Sequence, residues 1–356
     1  MTTATKEAPL AKPADSSHAD QPARALSRSP HATTKPVILV GLDLGTNASC
    51  VLAGPAEGSD ITISKIVATV VGYPKAGIVD GIITGNAGIV YGEEAINHKL
   101  HLNLVAPLRH GIIAEPEATR DFLRRIRSLI DPENKAELRV VIGVPANASE
   151  EAREHIRKVV TSLFDRVLLI PEPFLAALGF RDDARLGQGD YTDPVTNSLF
   201  IDIGGGTTDL CLVQGYFPTA DDQISLPFAG HAYAGEVRRP IDVSVIVAGK
   251  TRELELGDPL AVAGNALVER IFEATKTLIG RASSDSVEIL LQNIIVTGGG
   301  SQLKGIDTVL QQKLIAEGYA SPRVRLAGRD YKRYVALGAL KAARAARENQ
   351  WQYLLS

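Results

Sequence analysis

The sequence predicts an α/β protein of two similar lobes, each a mixed β-sheet with helices on its faces. Three observations support this fold class. Apolar segments with strand character alternate with segments of helical periodicity. A glycine-rich turn that begins with aspartate occurs twice, about one domain length apart, and a glycine triplet follows a third apolar strand. The 356 residues are enough for two separate hydrophobic cores.

The repeated turn is the most informative feature. Its first copy is Val40-Gly-Leu-Asp-Leu-Gly-Thr-Asn47 and its second is Asp202-Ile-Gly-Gly-Gly-Thr-Thr-Asp209. Glycines let backbone N–H groups approach a phosphate chain, and threonines add hydroxyl donors. Two opposed carboxylates suit a hydrated Mg²⁺ on that phosphate. An ordinary hairpin turn would explain one copy, whereas the pair predicts two lobes that face a common phosphate site.

A third turn extends this pattern. Asn293-Ile-Ile-Val-Thr-Gly-Gly-Gly-Ser301 is an apolar strand that ends in three glycines, and Gln302–Leu314 has the pattern of a helix. Turns of this kind let the sugar and phosphates of a nucleotide lie against the backbone. Alone, the segment also fits a tight strand-to-helix turn. As the third turn in this order it favours a nucleotide site.

In this order the three turns resemble those of the actin/DnaK/sugar-kinase ATPase superfamily. Four further segments resemble bacterial actins of the MreB type: Pro107–Ile113, Val140–Ala146, Pro171–Ala177 and Tyr334–Ala339. Two more, Val70–Lys75 and Tyr91–Ala95, resemble the MamK actins of magnetosome filaments. The resemblance covers about residues 36–345. It implies a duplicated, ribonuclease H-like, two-lobe ATPase fold with a nucleotide cleft between the lobes.

The resemblance also implies a function. We expect a cytoplasmic, cytoskeletal protein that binds and hydrolyses ATP with Mg²⁺, assembles with itself into filaments and positions magnetosomes, together with adaptor proteins. Two alternatives stay open: a monomeric DnaK-like or EutJ-like ATPase, and a nucleotide-binding scaffold with little hydrolysis. The net charge of −3 gives no nucleic-acid signal, and no apolar run reaches membrane-spanning length.

The residues that match the superfamily motifs give the expected site. Glu172 is expected to orient the attacking water, although a carboxylate favoured by a helix N-terminus is the alternative. Asp43 and Asp202 are expected to hold Mg²⁺ through water, and Asp202 is expected to be catalytic as well. MreB proteins use a glutamate at the position of Ala152. The expected nucleotide-binding residues are Gly45, Thr46, Asn47, Gly204, Gly205, Gly206, Thr207, Thr208, Gly298, Gly299, Gly300 and Ser301.

The chain is predicted to contain two lobes and two tails. Residues 1–35 are polar and nearly lack large apolar side chains, which is typical of a solvated tail; a partner-binding arm is the alternative. The first lobe is 36–180, with a small outer subdomain at about 56–100. The second lobe is 198–345, and 346–356 form a C-terminal tail.

The outer subdomain of the second lobe is predicted at about 224–260, reduced mainly to a hairpin of Ile241–Val247 and Thr251–Leu256. Bacterial actins usually insert a helix with purine contacts in this part of the chain. We therefore expect weak discrimination between ATP and GTP.

Several elements between the motifs have local signals. Glu117–Ile130 has an apolar helical stripe, and its arginines, Arg120, Arg124, Arg125 and Arg127, are expected to form a solvated face or, alternatively, a filament contact. Ser149 is a predicted N-cap. Further helices are predicted at Phe174–Phe180 and Ala261–Ile279. Cys50 and Cys211 are expected to be small buried hydrophobes, with a redox or ligand role as the alternative.

Overall fold

The computed structural model is built on two main β-sheets, one in each lobe. The structure describes residues 35–78, 88–227, 244–247, 250–253 and 259–353. The predicted N-terminal tail lies outside these ranges except for its last residue. None of the helices in the described part of the chain combines the length and hydrophobicity that a membrane span requires.

In its described residues the first lobe contains ten strands and four helices. The strands are β1 (Val37–Asp43), β2 (Ala48–Pro55), β3 (Ile63–Ala68), β4 (Val71–Pro74), β5 (Val90–Tyr91), β6 (Leu102–Val105), β7 (Leu108–Arg109), β8 (Ile112–Ile113), β9 (Glu137–Val144) and β10 (Arg166–Pro171). The helices are α1 (Gly92–Asn97), α2 (Pro116–Ile130), α3 (Glu150–Val160) and α4 (Glu172–Phe180).

The second lobe contains seven strands and four helices among the described residues. The strands are β11 (Ser198–Ile203), β12 (Thr208–Val213), β13 (Gln223–Leu226), β14 (Ser244–Val247), β15 (Lys250–Glu253), β16 (Ile294–Thr297) and β17 (Val324–Leu326). The helices are α5 (Pro259–Arg281), α6 (Ser284–Leu291), α7 (Ile306–Ala316) and α8 (Tyr331–Ala345). The last strand, β18 (Gln352–Tyr353), returns to the first lobe and pairs with β10.

The two main sheets have the same arrangement around their first strands. In the first lobe the order is β18-β10-β9-β1-β2-β3, and in the second it is β13-β12-β11-β16-β17. Each lobe begins with an antiparallel pair that the glycine-rich turn connects: Asp43 lies opposite Cys50, and Asp202 lies opposite Asp209. A parallel strand, β9 or β16, then pairs with the first strand on its other side. This repetition agrees with the duplication that the sequence predicts.

Helices α4 and α8 lie between the two sheets and form the contact between the lobes. Helix α8 packs on β1, β2 and β9, whereas α4 packs on β11 and β12 and on α8. Their crossing is close because both contain glycine. A Cβ on Gly338 would overlap the carbonyl oxygen of Leu175, and a Cβ on Gly179 would overlap that of Tyr334. One hydrophobic cluster therefore joins both sheets, and it includes the two buried cysteines.

Local signals explain most element boundaries. Helix α2 buries Phe122, Leu123 and Ile126, as its stripe predicts. The hydroxyl of Ser149 accepts a hydrogen bond from the N–H of Ala152, which confirms the predicted N-cap. The predicted helix at Gln302–Leu314 begins later, at Ile306. A short 3-10 helix precedes it, and Gly305 takes a left-handed φ of 80° that separates the two.

The expectation for the arginines of α2 needs correction. Arg120 donates to the carbonyl oxygen of Thr161 over 3.1 Å, and Arg127 donates to that of Leu163 over 2.6 Å. These two side chains hold the segment between α3 and β10 and so are not simply solvated. Arg124 pairs with Asp121 on the same helix.

The hairpin of the second lobe is partly described. Strands β14 and β15 pair antiparallel, with Val247 opposite Lys250. Residues 228–243, 248–249 and 254–258 lie outside the described residues, so the expectation about purine contacts falls mostly on residues that the structure does not describe. Residues 79–87 of the predicted outer subdomain of the first lobe also lie outside the described residues.

The crossing of α4 and α8 gives a test of the packing. We expect Gly338→Ala to lower the free energy of unfolding by about 1–3 kcal/mol, because a methyl group there overlaps the backbone of α4. Gly280→Ala in α5 is the matched control, since a Cβ at that site meets no atom within 4 Å. Replacing a glycine inside a helix by alanine should raise the free energy of unfolding of that variant by up to about 1 kcal/mol. Urea denaturation measures both, and equal effects of the two substitutions would contradict the close crossing.

Candidate nucleotide-binding site

A cleft of about 480 Å³ opens between the lobes where the three glycine-rich turns meet. Asp43 at the end of β1 and Asp202 near the end of β11 line it, together with Glu172 at the start of α4. The remaining lining from the predicted set is Gly45, Thr46, Asn47, Gly204, Gly205, Gly206, Thr207, Gly298, Gly299 and Gly300. The structure thus brings together residues from three distant parts of the chain.

Two predicted residues do not line this cleft. Thr208 is fully buried as the first residue of β12. Ser301 is also buried, and its hydroxyl donates to the carbonyl oxygen of Gly298 over 2.7 Å. Ser301 therefore stabilises the turn of the glycine triplet. The geometry gives neither side chain a direct contact with the cleft.

The two aspartate-led glycine turns, called the phosphate turns below, lie close to each other. The turn between β7 and β8 contacts both of them. The N–H of Gly111, between β7 and β8, donates to the hydroxyl of Thr46 over 3.0 Å. The Nδ1 of His110 lies 3.3 Å from the carbonyl oxygen of Gly206 in the other lobe, so the ring donates there from Nδ1. A Cβ on Gly206 would lie 2.7 Å from the Cα of His110, so only glycine fits this approach.

The glycine triplet turns sharply beside the second aspartate. Gly298 has a φ of 79°, which favours glycine, and a Cβ there would overlap a carboxylate oxygen of Asp202. A Cβ on Gly300 would overlap the side chain of Ile203. Both glycines are therefore required for β16 to end against the second phosphate turn.

Four carboxyl groups lie near one another at the cleft, of which Asp202 and Asp209 are buried and Asp43 and Glu172 are half-buried. Burial raises the pKa of each. The pKa of Asp43 rises to about 7, and that of Asp202 rises to about 8, where the charges of Asp43 and Asp209 add to burial. The pKa of Glu172 is raised well above its usual value by burial and by the three aspartates. Burial also raises the pKa of Asp209, which hydrogen bonds from Ser225, Thr207 and the backbone of Ala146 partly offset.

Among the described residues, no three or more His, Cys, Asp or Glu side chains are placed to hold a metal ion together. Two carboxylates and water would suffice for a hydrated divalent cation, and the positive charge of a bound Mg²⁺ would favour the ionised form of these half-buried and buried carboxyl groups. Oxygen ligands are those that Mg²⁺ prefers, and it usually keeps several of its waters. Asp43 and Asp202, from opposite lobes, are the side chains that would hold it.

Several residues that line the cleft or lie beside it were not predicted from the sequence. Asp209 does not line the cleft, but it accepts a hydrogen bond from the N–H of Ala146 over 2.9 Å and so connects the lobes. It is the last residue of the second motif and was assigned no role. Tyr331 and Lys332 also line the cleft, and in sequence they come just before the Tyr334–Ala339 motif. That motif could have indicated them. Ala48, Cys50, Ile66, Gly111, Gln302, Leu303 and Val335 complete the lining, and nothing in their local sequence indicates this.

Comparisons with known proteins show which family and which relatives this chain resembles. The family model described as MreB/Mbl protein matches residues 38–217. The actin-like protein MamK of Paramagnetospirillum magneticum is 27% identical over 314 residues, which cover 78% of this chain and 84% of that protein.

Solved structures show the same fold. A MamK double helical filament has a TM-score of 0.72 and 26% identity, over 87% of this chain and 100% of that chain. A non-polymerising MamK mutant bound to AMPPNP has a TM-score of 0.61 and 26% identity, over 87% of this chain and 99% of that chain. These similarities confirm the predicted actin-like α/β fold.

The raised pKa of Asp202 predicts how stability depends on pH. Its ordinary pKa is 3.8 and its folded pKa is about 8, so between these values the folded protein holds more protons than the unfolded chain. Stability of the metal-free protein should therefore fall as pH rises from about 5 to 8. Asp202→Asn should reduce this fall, because the amide does not ionise.

Melting temperatures across this pH range measure the effect. Asp285→Asn, at an exposed position of α6, is the matched control and should melt with the pH dependence of the wild type. An Asp202→Asn profile parallel to that of the wild type would contradict the raised pKa.

Proposed function

The chain belongs to the MreB/Mbl family of bacterial actin-like proteins, and from this premise we propose that it binds and hydrolyses ATP and assembles into filaments. One observation carries the proposal: two aspartate-led glycine turns, from two lobes of the same topology, face each other across one cleft. The AMPPNP bound to a MamK relative supports a nucleoside triphosphate as the ligand.

In the proposed complex, backbone N–H groups of the two turns hold the triphosphate. The first turn supplies Gly45, Thr46 and Asn47, and the second supplies the segment 204–207. Successive N–H groups of these turns would provide partial positive charge where the phosphate oxygens lie. The glycine triplet and Lys332 also line the cleft, and the ribose and base would extend along them.

Hydrolysis in this architecture depends on positioning and on electrostatic stabilisation. Bound Mg²⁺ would neutralise charge on the phosphates and on Asp43 and Asp202. With that charge present, Glu172 would be ionised, and its carboxylate would accept a hydrogen bond from water and orient it toward the γ-phosphate. Glu172 is well placed for this task because it begins α4 within the carboxylate cluster.

Glu172→Gln tests this assignment. The amide keeps the shape of the side chain but is a weaker acceptor, so ATP should still bind while turnover falls by about 100-fold or more. Glu288→Gln, exposed on α6, is the matched control and should leave turnover unchanged. Nucleotide affinity and phosphate release measure the two effects separately. Wild-type turnover in Glu172→Gln would remove the residue from the mechanism.

A nucleotide-binding scaffold with little hydrolysis is the second candidate. Ala152 at the third position of α3 favours it, because MreB proteins resemble this chain but have a glutamate there. Turnover by the wild type that is indistinguishable from that of Glu172→Gln, with tight ATP binding in both, would support the scaffold.

The cellular role that we propose follows the MamK relatives. Self-assembly into a cytoplasmic, cytoskeletal filament would position magnetosomes, with adaptor proteins linking filament and organelle. Electron microscopy of the purified protein with ATP, with ADP and without nucleotide tests the assembly itself. Filaments in ATP support the proposal, whereas particles that stay monomeric under all three conditions would favour the DnaK-like or EutJ-like alternative.

A further inference from the structure

Asp209 joins the two lobes through one carboxylate. It lies on β12 of the second lobe and is 1% exposed. One of its oxygens accepts a hydrogen bond over 2.9 Å from the N–H of Ala146, which follows β9 of the first lobe. The hydroxyls of Thr207 and Ser225, both in the second lobe, also donate to this carboxylate. A single buried side chain therefore accepts hydrogen bonds from both lobes.

The second lobe fixes the position of Asp209 beside the cleft. Asp209 lies directly opposite Asp202 in the pairing of β12 with β11, and directly opposite Ser225 in the pairing of β12 with β13. Residues that lie opposite each other in a sheet share one face of it. Thr207, whose hydroxyl donates to Asp209, is the last residue of the segment 204–207 that lines the cleft. Asp209 is therefore attached directly to the second phosphate turn.

The segment of the first lobe that Asp209 holds also contacts the turns of the cleft. Pro145, directly before Ala146, packs against the turn between β7 and β8, since a Cβ on Gly111 would lie 2.7 Å from the Pro145 ring. That turn contacts both phosphate turns through hydrogen bonds. The hydrogen bond from Ala146 to Asp209 therefore holds the end of β9, and the turn that packs on it, against the second lobe.

Burial makes this hydrogen bond matter for the arrangement of the lobes. Ala146 is 5% exposed, so its N–H has little access to water in the observed arrangement. Without the carboxylate, that buried N–H would lack an acceptor, which costs free energy. Movement of the lobes apart would expose the N–H to water and so remove the cost. Asp209 therefore stabilises the observed arrangement relative to one in which the lobes have separated.

We propose that Asp209 is a positioning residue, which holds the lobes together at the cleft and so sets how tightly the two phosphate turns bind a nucleoside triphosphate. Asp209 does not line the cleft, so it acts through Ala146 and Thr207 and not by touching the nucleotide. When fewer molecules have the binding-competent arrangement, the apparent affinity falls in proportion. The inference deepens the proposed ATP binding and rests on it.

Asparagine at this position distinguishes a hydrogen-bonding role from a role of the negative charge. The amide oxygen of Asp209→Asn accepts a hydrogen bond from Ala146, and its NH₂ group donates to the hydroxyl oxygen of Thr207 or Ser225. The amide carries no charge, so it would not replace a carboxylate that acts by attracting a cation. Alanine removes both the hydrogen bonds and the charge. The two roles therefore predict different results for asparagine and the same result for alanine.

Calorimetric titration with Mg·AMPPNP measures the effect of both substitutions. Asp209→Ala should weaken binding at least about tenfold, because it leaves the Ala146 N–H without its acceptor. Asp209→Asn should restore the affinity to within about threefold of the wild type or better, because it keeps that acceptor. An equal loss of affinity in both variants would assign the effect to the charge and overturn the proposal. Wild-type affinity in Asp209→Ala would overturn it as well.

Asp131→Ala is the matched control. Asp131 is also a buried carboxylate, and it accepts a hydrogen bond from the N–H of Ala136 over 2.9 Å, but both residues belong to the first lobe. Its removal should lower the melting temperature and leave the affinity for Mg·AMPPNP as in the wild type. If Asp131→Ala loses as much affinity as Asp209→Ala, general destabilisation explains the loss and the positioning role is contradicted.

Hydrogen–deuterium exchange of the wild type tests the inference even if Asp209→Ala does not fold. Mg·AMPPNP should slow exchange in the segment 146–148, because a ligand that holds the lobes together protects the Ala146 N–H that pairs across them. Unchanged exchange there in the nucleotide-bound protein would overturn the inference, while ATP binding itself stands. If the wild type does not bind Mg·AMPPNP, the proposed ATP binding fails and this inference fails with it.

Discussion

The close crossing of α4 and α8 is the constraint on which the rest of the structure depends. Glycine at 179 and at 338 brings the two helix backbones into direct contact, and each helix then packs on the sheet of a different lobe. The crossing therefore fixes the separation of the sheets. It also places Glu172, at the start of α4, and Lys332, near the start of α8, on the same cleft. A wider crossing would move the two phosphate turns apart.

The carboxyl groups at the cleft are harder to ionise in the absence of a bound cation. Asp43, Glu172, Asp202 and Asp209 lie close together, and their pKa values rise mainly because burial disfavours the ionised carboxylate; the charges of neighbouring aspartates add to this at Glu172 and Asp202. A bound divalent cation would offset part of the negative charge of the carboxylates and of a triphosphate. A ligand held by turns from both lobes would also stabilise the contact between the lobes.

Sequence reasoning worked where a local motif determines geometry. The repeated turns place Asp43 and Asp202 because each aspartate ends a strand and begins a tight glycine turn. The N-cap at Ser149 follows from one side chain and one N–H.

Sequence reasoning failed where contacts between residues far apart in the sequence determine the structure. Thr208 looked equivalent to Thr207, but it is the first residue of β12, a strand whose six residues are all buried. The arginines of α2 looked solvated, but two of them bind carbonyl oxygens of a segment some forty residues away. Cys50 and Ile66 line the cleft only because β2 and β3 pair there.

The central claim is that one nucleotide binds both lobes at once through turns from each. Hydrogen–deuterium exchange of the protein with and without Mg·AMPPNP tests it most directly. The account predicts slower exchange in three separate segments, around 44–47, 204–207 and 298–300, together with the segment at 110–111 that joins the turns. Protection confined to the turns of a single lobe, with the other lobe unchanged, would contradict it.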